Sequence, residues 1–271
     1  MKRIETLIPD IYALLSGGNF LLDGERLGKT IQRRFNDSRS GDTLRMSNFG
    51  TPCSRKLWYT VNKADVAEPI PAYARLNFLL GDIIEEVVLS LAKQAGHEVT
   101  GEQDELSIAG IKGHRDAIID GMLVDVKSAN GRSVEKFKYN QVRKDDPFGY
   151  YDQLSLYHHA SKEDVHVKNE AAFLAVDKER GHLYLDTYKI DDRDWDKEIA
   201  DKKDMLAKAT PPDRGFAAEP HNKAGNMKLC IACAYCPFKK ECWPQVRSFA
   251  YAGAPVHLVK VVKEPEVPEI K

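Results

Sequence analysis

The chain has 271 residues, with 40 Lys and Arg against 41 Asp and Glu and a formal net charge of −1. A balance this close rules out a field of one sign over the whole surface, so any basic groove for a polyanion must be local. The length suffices for one sizeable core, with two small domains the less favoured division.

No apolar run approaches the roughly 18 residues of a membrane span. Glu5, Pro9 and Asp10 interrupt the N-terminal stretch before a signal-peptide core can form. The chain is therefore expected in the cytoplasm and off the membrane. There, clustered cysteines bind metal more often than they pair as disulfides.

Residues 3–16 read as a helix stopped by Gly17 and Gly18, and the polar stretch at 32–43 reads as a connector. "GERLGKT" resembles a phosphate loop but encloses three residues between Gly24 and Gly28 where the motif needs four. From Ala72 to Ala95 the pattern is helical, with Leu76, Leu80, Ile83, Ile84, Val87 and Leu91 as one apolar stripe. Strands joined by tight turns follow to Ser128, then a helix over 147–161 and two strands around Gly181. Residues 191–208 read as a charged helix. The last stretch, "VKEPEVPEIK", is expected to be disordered.

The richest segment is "GHRDAIIDGMLVDVKS". Asp120-Gly121 between two apolar runs signals a two-residue hairpin. Pairing Ile119 with Met122 then places Asp116 opposite Asp125 and His114 opposite Lys127, all on one face. Like charges directly opposed are destabilising. A hard divalent cation compensates them, and neutralisation by Lys127 and Arg115 is the plainer alternative. On the long helix Glu85 lies one turn after Gly81. Gln153 and Tyr157 share a face at 150–160.

Gly81-x3-Glu85, Gly113-x2-Asp116, Asp125-Val126-Lys127 and Gln153-x3-Tyr157 together resemble, in order, the motifs of the RecB-like branch of the PD-(D/E)XK nucleases. Glu85 stands where that branch usually has His. The resemblance covers about residues 47–243. It implies an α/β fold with a restriction-endonuclease-like core, a central mixed β-sheet flanked by helices, and a C-terminal cysteine cluster tied to an N-terminal cysteine. The implied division is a helical extension and connector at 1–45, a nuclease domain at 46–250, and a disordered tail at 251–271.

The implied activity is hydrolysis of DNA phosphodiesters at strand ends, with Mg²⁺ or Mn²⁺ held by Glu85, Asp116, Asp125 and the Val126 carbonyl. Lys127 would orient water or stabilise charge, steadied by Gln153 and Tyr157. Arg55, Lys56, His114, Lys136 and Lys138 are candidate DNA contacts. The implied partners are single-stranded DNA or DNA with free ends, and a helicase, recombinase or integrase. A DNA-binding scaffold that lost catalysis and a restriction-type endonuclease are the alternatives.

Four of the five cysteines lie at 230–242, and Cys53 lies far upstream. Spacing alone permits a structural zinc site from Cys230, Cys233, Cys236 and Cys242. Cys233-x2-Cys236-x5-Cys242 with an upstream Cys53 instead resembles the iron–sulfur members of the branch. That resemblance implies a 4Fe–4S cluster on those four and leaves Cys230 out.

Overall fold

The computed structural model describes residues 2–18, 20–36 and 42–270. Its helices in chain order are α1 (Leu7–Gly17), α2 (Gly24–Asn36), α3 (Met46–Phe49), α4 (Ser54–Asn62), α5 (Ala72–Gln94), α6 (Gly131–Lys138), α7 (Tyr150–Ala160), α8 (Trp195–Leu206), α9 (Ile231–Ala234) and α10 (Lys239–Cys242). The strands are β1 (Val99–Thr100), β2 (Glu105–Ile108), β3 (Ile111–His114), β4 (Ala117–Ile119), β5 (Met122–Ala129), β6 (Glu170–Asp177) and β7 (Leu183–Lys189). Five more follow: β8 (Ala218–Pro220), β9 (Met227–Leu229), β10 (Arg247–Phe249), β11 (Val256–Lys260) and β12 (Glu269–Ile270).

These elements form two compact units rather than the single core expected from length. One comprises Met1–Arg39, Arg45–Gly50 and Pro71–Lys197. The other comprises Ser40–Leu44, Thr51–Ile70 and Glu198–Lys271.

The first unit is built on a mixed sheet in the order β1-β4-β5-β6-β7. Only β5 and β6 run parallel, and the other neighbours are antiparallel. Alternation along the strands sorts side chains onto two faces. Val124, Val126, Ala172 and Leu174 pack with Leu7 and Ile11 of α1 and Val88, Leu89 and Ala92 of α5. On the other face Phe173 meets Phe137 of α6 edge-on at 5.5 Å and Tyr150 of α7 at 6.4 Å. Helices thus cover both faces of a mixed sheet.

Only the C-terminal part of the stripe read from the sequence, Val87 and Leu91, joins the core. Leu76 and Leu80 are exposed, and burial begins with Glu86 and Val88. The helix is longer than the sheet it covers, and periodicity does not show which half finds a partner. α2 also runs through residues 32–36, part of the expected connector; residues 37–41 of that stretch lie outside the described residues. The near-miss phosphate loop at 24–30 is helical, so it forms no loop.

The second unit carries an antiparallel sheet in the order β12-β10-β11-β9-β8. Leu57, Trp58 and Tyr59 of α4 pack with Leu206, Cys236 and Phe238. Tyr59 stacks on Phe238 with centroids 5.4 Å apart, and the Trp58 indole N–H donates to the Lys208 carbonyl at 2.8 Å.

The tail expected to be disordered instead contributes β11 and β12. Arg247 binds Glu264 and Glu269, each at 2.7 Å. The Asn226 side-chain oxygen accepts from the amides of Val262 and Lys263 at 2.7 and 2.9 Å. Arg247 of β10 thus pairs with two acids of the stretch expected to be disordered.

Candidate active site

Everything in the site hangs on one tight turn. Asp120 and Gly121 both have positive φ, 48° and 83°, which makes the two-residue connection that matches strand twist. The register follows as the sequence predicts: Ile119 faces Met122, Ile118 faces Leu123 and Ala117 faces Val124.

Pairing stops at Ala117, and Asp116 bends out of the ladder. Its carbonyl accepts from the Gln103 amide at 3.3 Å, and its side-chain Oδ2 accepts from the Val126 amide at 2.7 Å. His114 is consequently not opposite Lys127. It belongs to a separate two-stranded ribbon, where it faces Glu105. Arg115, buried, turns the other way, to Asp104 at 2.8 Å and Asp164 at 2.6 Å, so it does not neutralise the carboxylates.

Asp125 is buried and forms an ion pair with Lys127. The Lys127 ammonium also sits 5.1 Å from the centre of the Tyr150 ring. Glu85 enters from α5, held by the Gln103 amide group at 2.6 Å.

The titration of these groups records their proximity. Burial first, then the charges of Asp125 and Glu85, push the Asp116 carboxyl well above the usual carboxylate range. Burial chiefly raises Glu85 to about 7, with Asp125, Asp82 and Glu86 adding to it and Gln103 opposing. For Lys127 burial alone would lower the ammonium, but Asp125 and Asp116 outweigh it and raise it. Burial and the same two carboxylates raise the Tyr157 hydroxyl. Three acids from three elements, one lysine and one tyrosine therefore share one field.

Gly113 has a steric reason. A β-carbon there would lie 2.7 Å from both the Tyr157 hydroxyl and the Met46 β-carbon. Gly81 has none of that kind, since an added β-carbon would meet only the Ser128 hydroxyl at 3.5 Å. Gln153 is half-buried on α7 one turn before Tyr157, but its side chain makes no hydrogen bond to Lys127 or the carboxylates.

Of the candidate DNA contacts, Lys136 is paired with Asp145 at 2.8 Å, and Lys138 lies over the Tyr139 ring at 5.2 Å. Arg55 and Lys56 belong to the second unit. Arg55 donates to the Pro212 carbonyl at 2.7 Å and lies over Tyr59. The Lys56 amide donates to the Cys53 sulfur at 3.4 Å. The Lys56 side chain acts on the Cys236 thiol of the same unit.

All five cysteines are free thiols of that second unit. Burial raises the Cys233 thiol, and the thiols of Cys230, Cys236 and Cys53 add to the effect. Cys230, which the resemblance leaves out, contributes to the raised Cys233 thiol more than Cys236 or Cys53 does. Burial likewise raises Cys236, with Cys242 and Cys53 contributing and Lys56 opposing. Among the described residues no three His, Cys, Asp or Glu side chains stand close enough together to hold a metal ion as they are placed.

Sequence reasoning missed Gln103 and Tyr150. Gln103 sits at positive φ in a loop, and no spacing rule connects it with Glu85. Tyr150 lies one turn before Leu154, where an aromatic reads as ordinary helix packing.

No family profile and no curated protein matches the chain. A solved structure titled "Crystal structure of SSO0001" is similar over 80% of this chain and 93% of that one, with 18% identity and a TM-score of 0.45.

Proposed function

We propose that the chain is a divalent-metal-dependent deoxyribonuclease of restriction-endonuclease-like fold, acting at DNA ends. One observation carries the reading: the half-buried Glu85 and Asp116 and the buried Asp125 are brought into mutual repulsion beside one lysine. Folding alone gains nothing from crowding three acids, so the arrangement suits a ligand that takes up their charge. The donor set is oxygen only, which fits Mg²⁺ or Mn²⁺.

Glu85, Asp116, Asp125 and the Val126 carbonyl would hold the ion. When bound it supplies Lewis acidity at the phosphate and a lowered pKa for a coordinated water. The Val126 amide keeps Asp116 turned inward. Lys127, fixed by Asp125 and the face of Tyr150, presents a permanent positive charge where the phosphate gains negative charge in the transition state. Tyr157, with its raised pKa, keeps its proton beside Asp125 and Asp116. Gln103 steadies Glu85, a part first given to no residue.

The cysteines support a separate structural metal group. Their thiols influence one another within one unit, and Cys53, Cys233, Cys236 and Cys242 would hold a 4Fe–4S cluster. The influence of Cys230 on the Cys233 thiol keeps the zinc reading as the second one. Either group would tie α4 to the 230–242 segment and add folding free energy.

Among the described residues no helix is long and apolar enough to cross a membrane. A cytoplasmic site of action, with a separate helicase or recombinase to open duplexes, completes the reading. The test is digestion of linear and covalently closed DNA with Mg²⁺ and with EDTA. Loss of linear DNA only, and only with Mg²⁺, is expected. Linearised circles would mean an endonuclease, and intact DNA throughout would leave a binding scaffold.

A further inference from the structure

Between β5 and the start of α7 lies a cleft that adjoins the proposed chemistry and shares Lys127 and Tyr150 with it. Its volume is about 110 Å³, and Lys127, Asn130, Ser133, Lys136, Phe148 and Tyr150 line it. That is several times the room one ordered water needs.

The walls differ in character. One is aromatic: the Phe148 and Tyr150 rings are 5.5 Å apart with planes tilted by 35°, and Phe148 is 43% exposed. The other is polar, made by Asn130 and Ser133 where α6 begins, with Lys136 further along that helix.

Two carboxylates also border the cleft, and both are engaged. Asp146 accepts from the amides of Phe148, Gly149 and Tyr151 at 3.2, 2.7 and 2.8 Å. Asp145 holds the Lys136 ammonium at 2.8 Å. Lys136 is thereby a poor trap for a phosphate. What the cleft offers is exposed aromatic surface together with neutral hydrogen-bonding groups. That combination binds a base by stacking and by its edge.

We propose that this cleft receives one unpaired nucleobase of the DNA strand whose phosphodiester lies at Lys127. A base in a duplex is stacked and paired and has to leave both partners to enter. The strand presented to the carboxylates is therefore single, or frayed at its end. The inference rests on the nuclease reading for the identity of the strand, but its test does not require cleavage.

The test is fluorescence anisotropy in EDTA with a labelled short oligodeoxyadenylate and a blunt hairpin duplex. The proteins are wild type, Phe148→Leu and Phe148→Tyr, each checked by thermal melting. Phe148→Leu keeps apolar volume and loses the ring, so its single-strand affinity falls roughly tenfold or more, the loss of one stacked base. Phe148→Tyr binds like wild type, and the hairpin binds weakly to all three.

Wild-type single-strand affinity in Phe148→Leu, or equal binding of strand and hairpin by wild type, overturns the pocket. If Mg²⁺ then brings cleavage, the nuclease reading survives that failure. The expected binding pattern with no cleavage in Mg²⁺ supports the pocket and removes the nuclease reading.

Discussion

Replacing Glu85 with Gln isolates the cost of crowding acids in the site. Glutamine keeps an oxygen for the Gln103 amide group, which donates to Glu85 at 2.6 Å, and removes the charge. Burial and the neighbouring acids raise Glu85 from an ordinary 4.5 to about 7. Between those two values the native state holds a proton that the unfolded chain has lost. Stability from this group is therefore complete below about 4.5, falls as pH rises, and is gone above about 7. The gap corresponds to about 3 kcal/mol, shared with the other acids that titrate with it.

Glu85→Gln removes that loss. In EDTA at pH 8 the variant is expected to be more stable by about 2–3 kcal/mol, roughly 5–10 °C in melting temperature. At pH 4.5 the two proteins melt together. Mg²⁺ then raises the wild-type melting temperature at pH 8 more than that of the variant, because binding to the native state adds stability. Thermal melts followed by circular dichroism at the two pH values make the measurement. A variant that is less stable at pH 8, or one with the same advantage at both pH values, would refute the reasoning.

Other expectations follow from single contacts. Gly113→Ala puts a methyl group 2.7 Å from Tyr157 and Met46, so urea titration is expected to show a loss of about 1–3 kcal/mol. Lys127→Ala removes the cation paired with Asp125. It is expected to slow Mg²⁺-dependent DNA hydrolysis at least about a hundredfold in single-turnover kinetics. Protein purified without oxygen is expected to be brown, with iron and sulfide in equal amounts. Cys53→Ala bleaches and destabilises it, whereas Cys230→Ala leaves its colour; a colourless protein that loses one zinc in Cys230→Ala reverses the assignment.

How far the sequence could be read depended on whether a feature was local. The Asp120-Gly121 turn fixes the β4–β5 register through backbone geometry confined to a few residues, and that register held to Ala117. The same extrapolation failed at His114. Hydrogen bonds from the Gln103 amide to the Asp116 carbonyl and from the Arg115 amide to the Asp104 carbonyl draw the chain away there, and nothing within the hairpin encodes those partners.

The gathering of Glu85, Asp116, Asp125 and Lys127 was legible in three short motifs. The hold of Gln103 on Glu85 was not, because it depends on a loop at positive φ. Leu76 and Leu80 show the same limit in packing, since an apolar stripe reveals a face but not what covers it. In the tail, Glu264 and Glu269 look like solvated charges until Arg247 is seen between them.

The most direct measurement is the release of label from an end-labelled DNA single strand by wild type and Asp116→Asn, each with Mg²⁺ and with EDTA. Wild type with Mg²⁺ is expected to shorten the strand progressively from its end, while the other three combinations leave it intact. Shortening in EDTA, or by Asp116→Asn at the wild-type rate, would contradict a metal-dependent site built on these carboxylates.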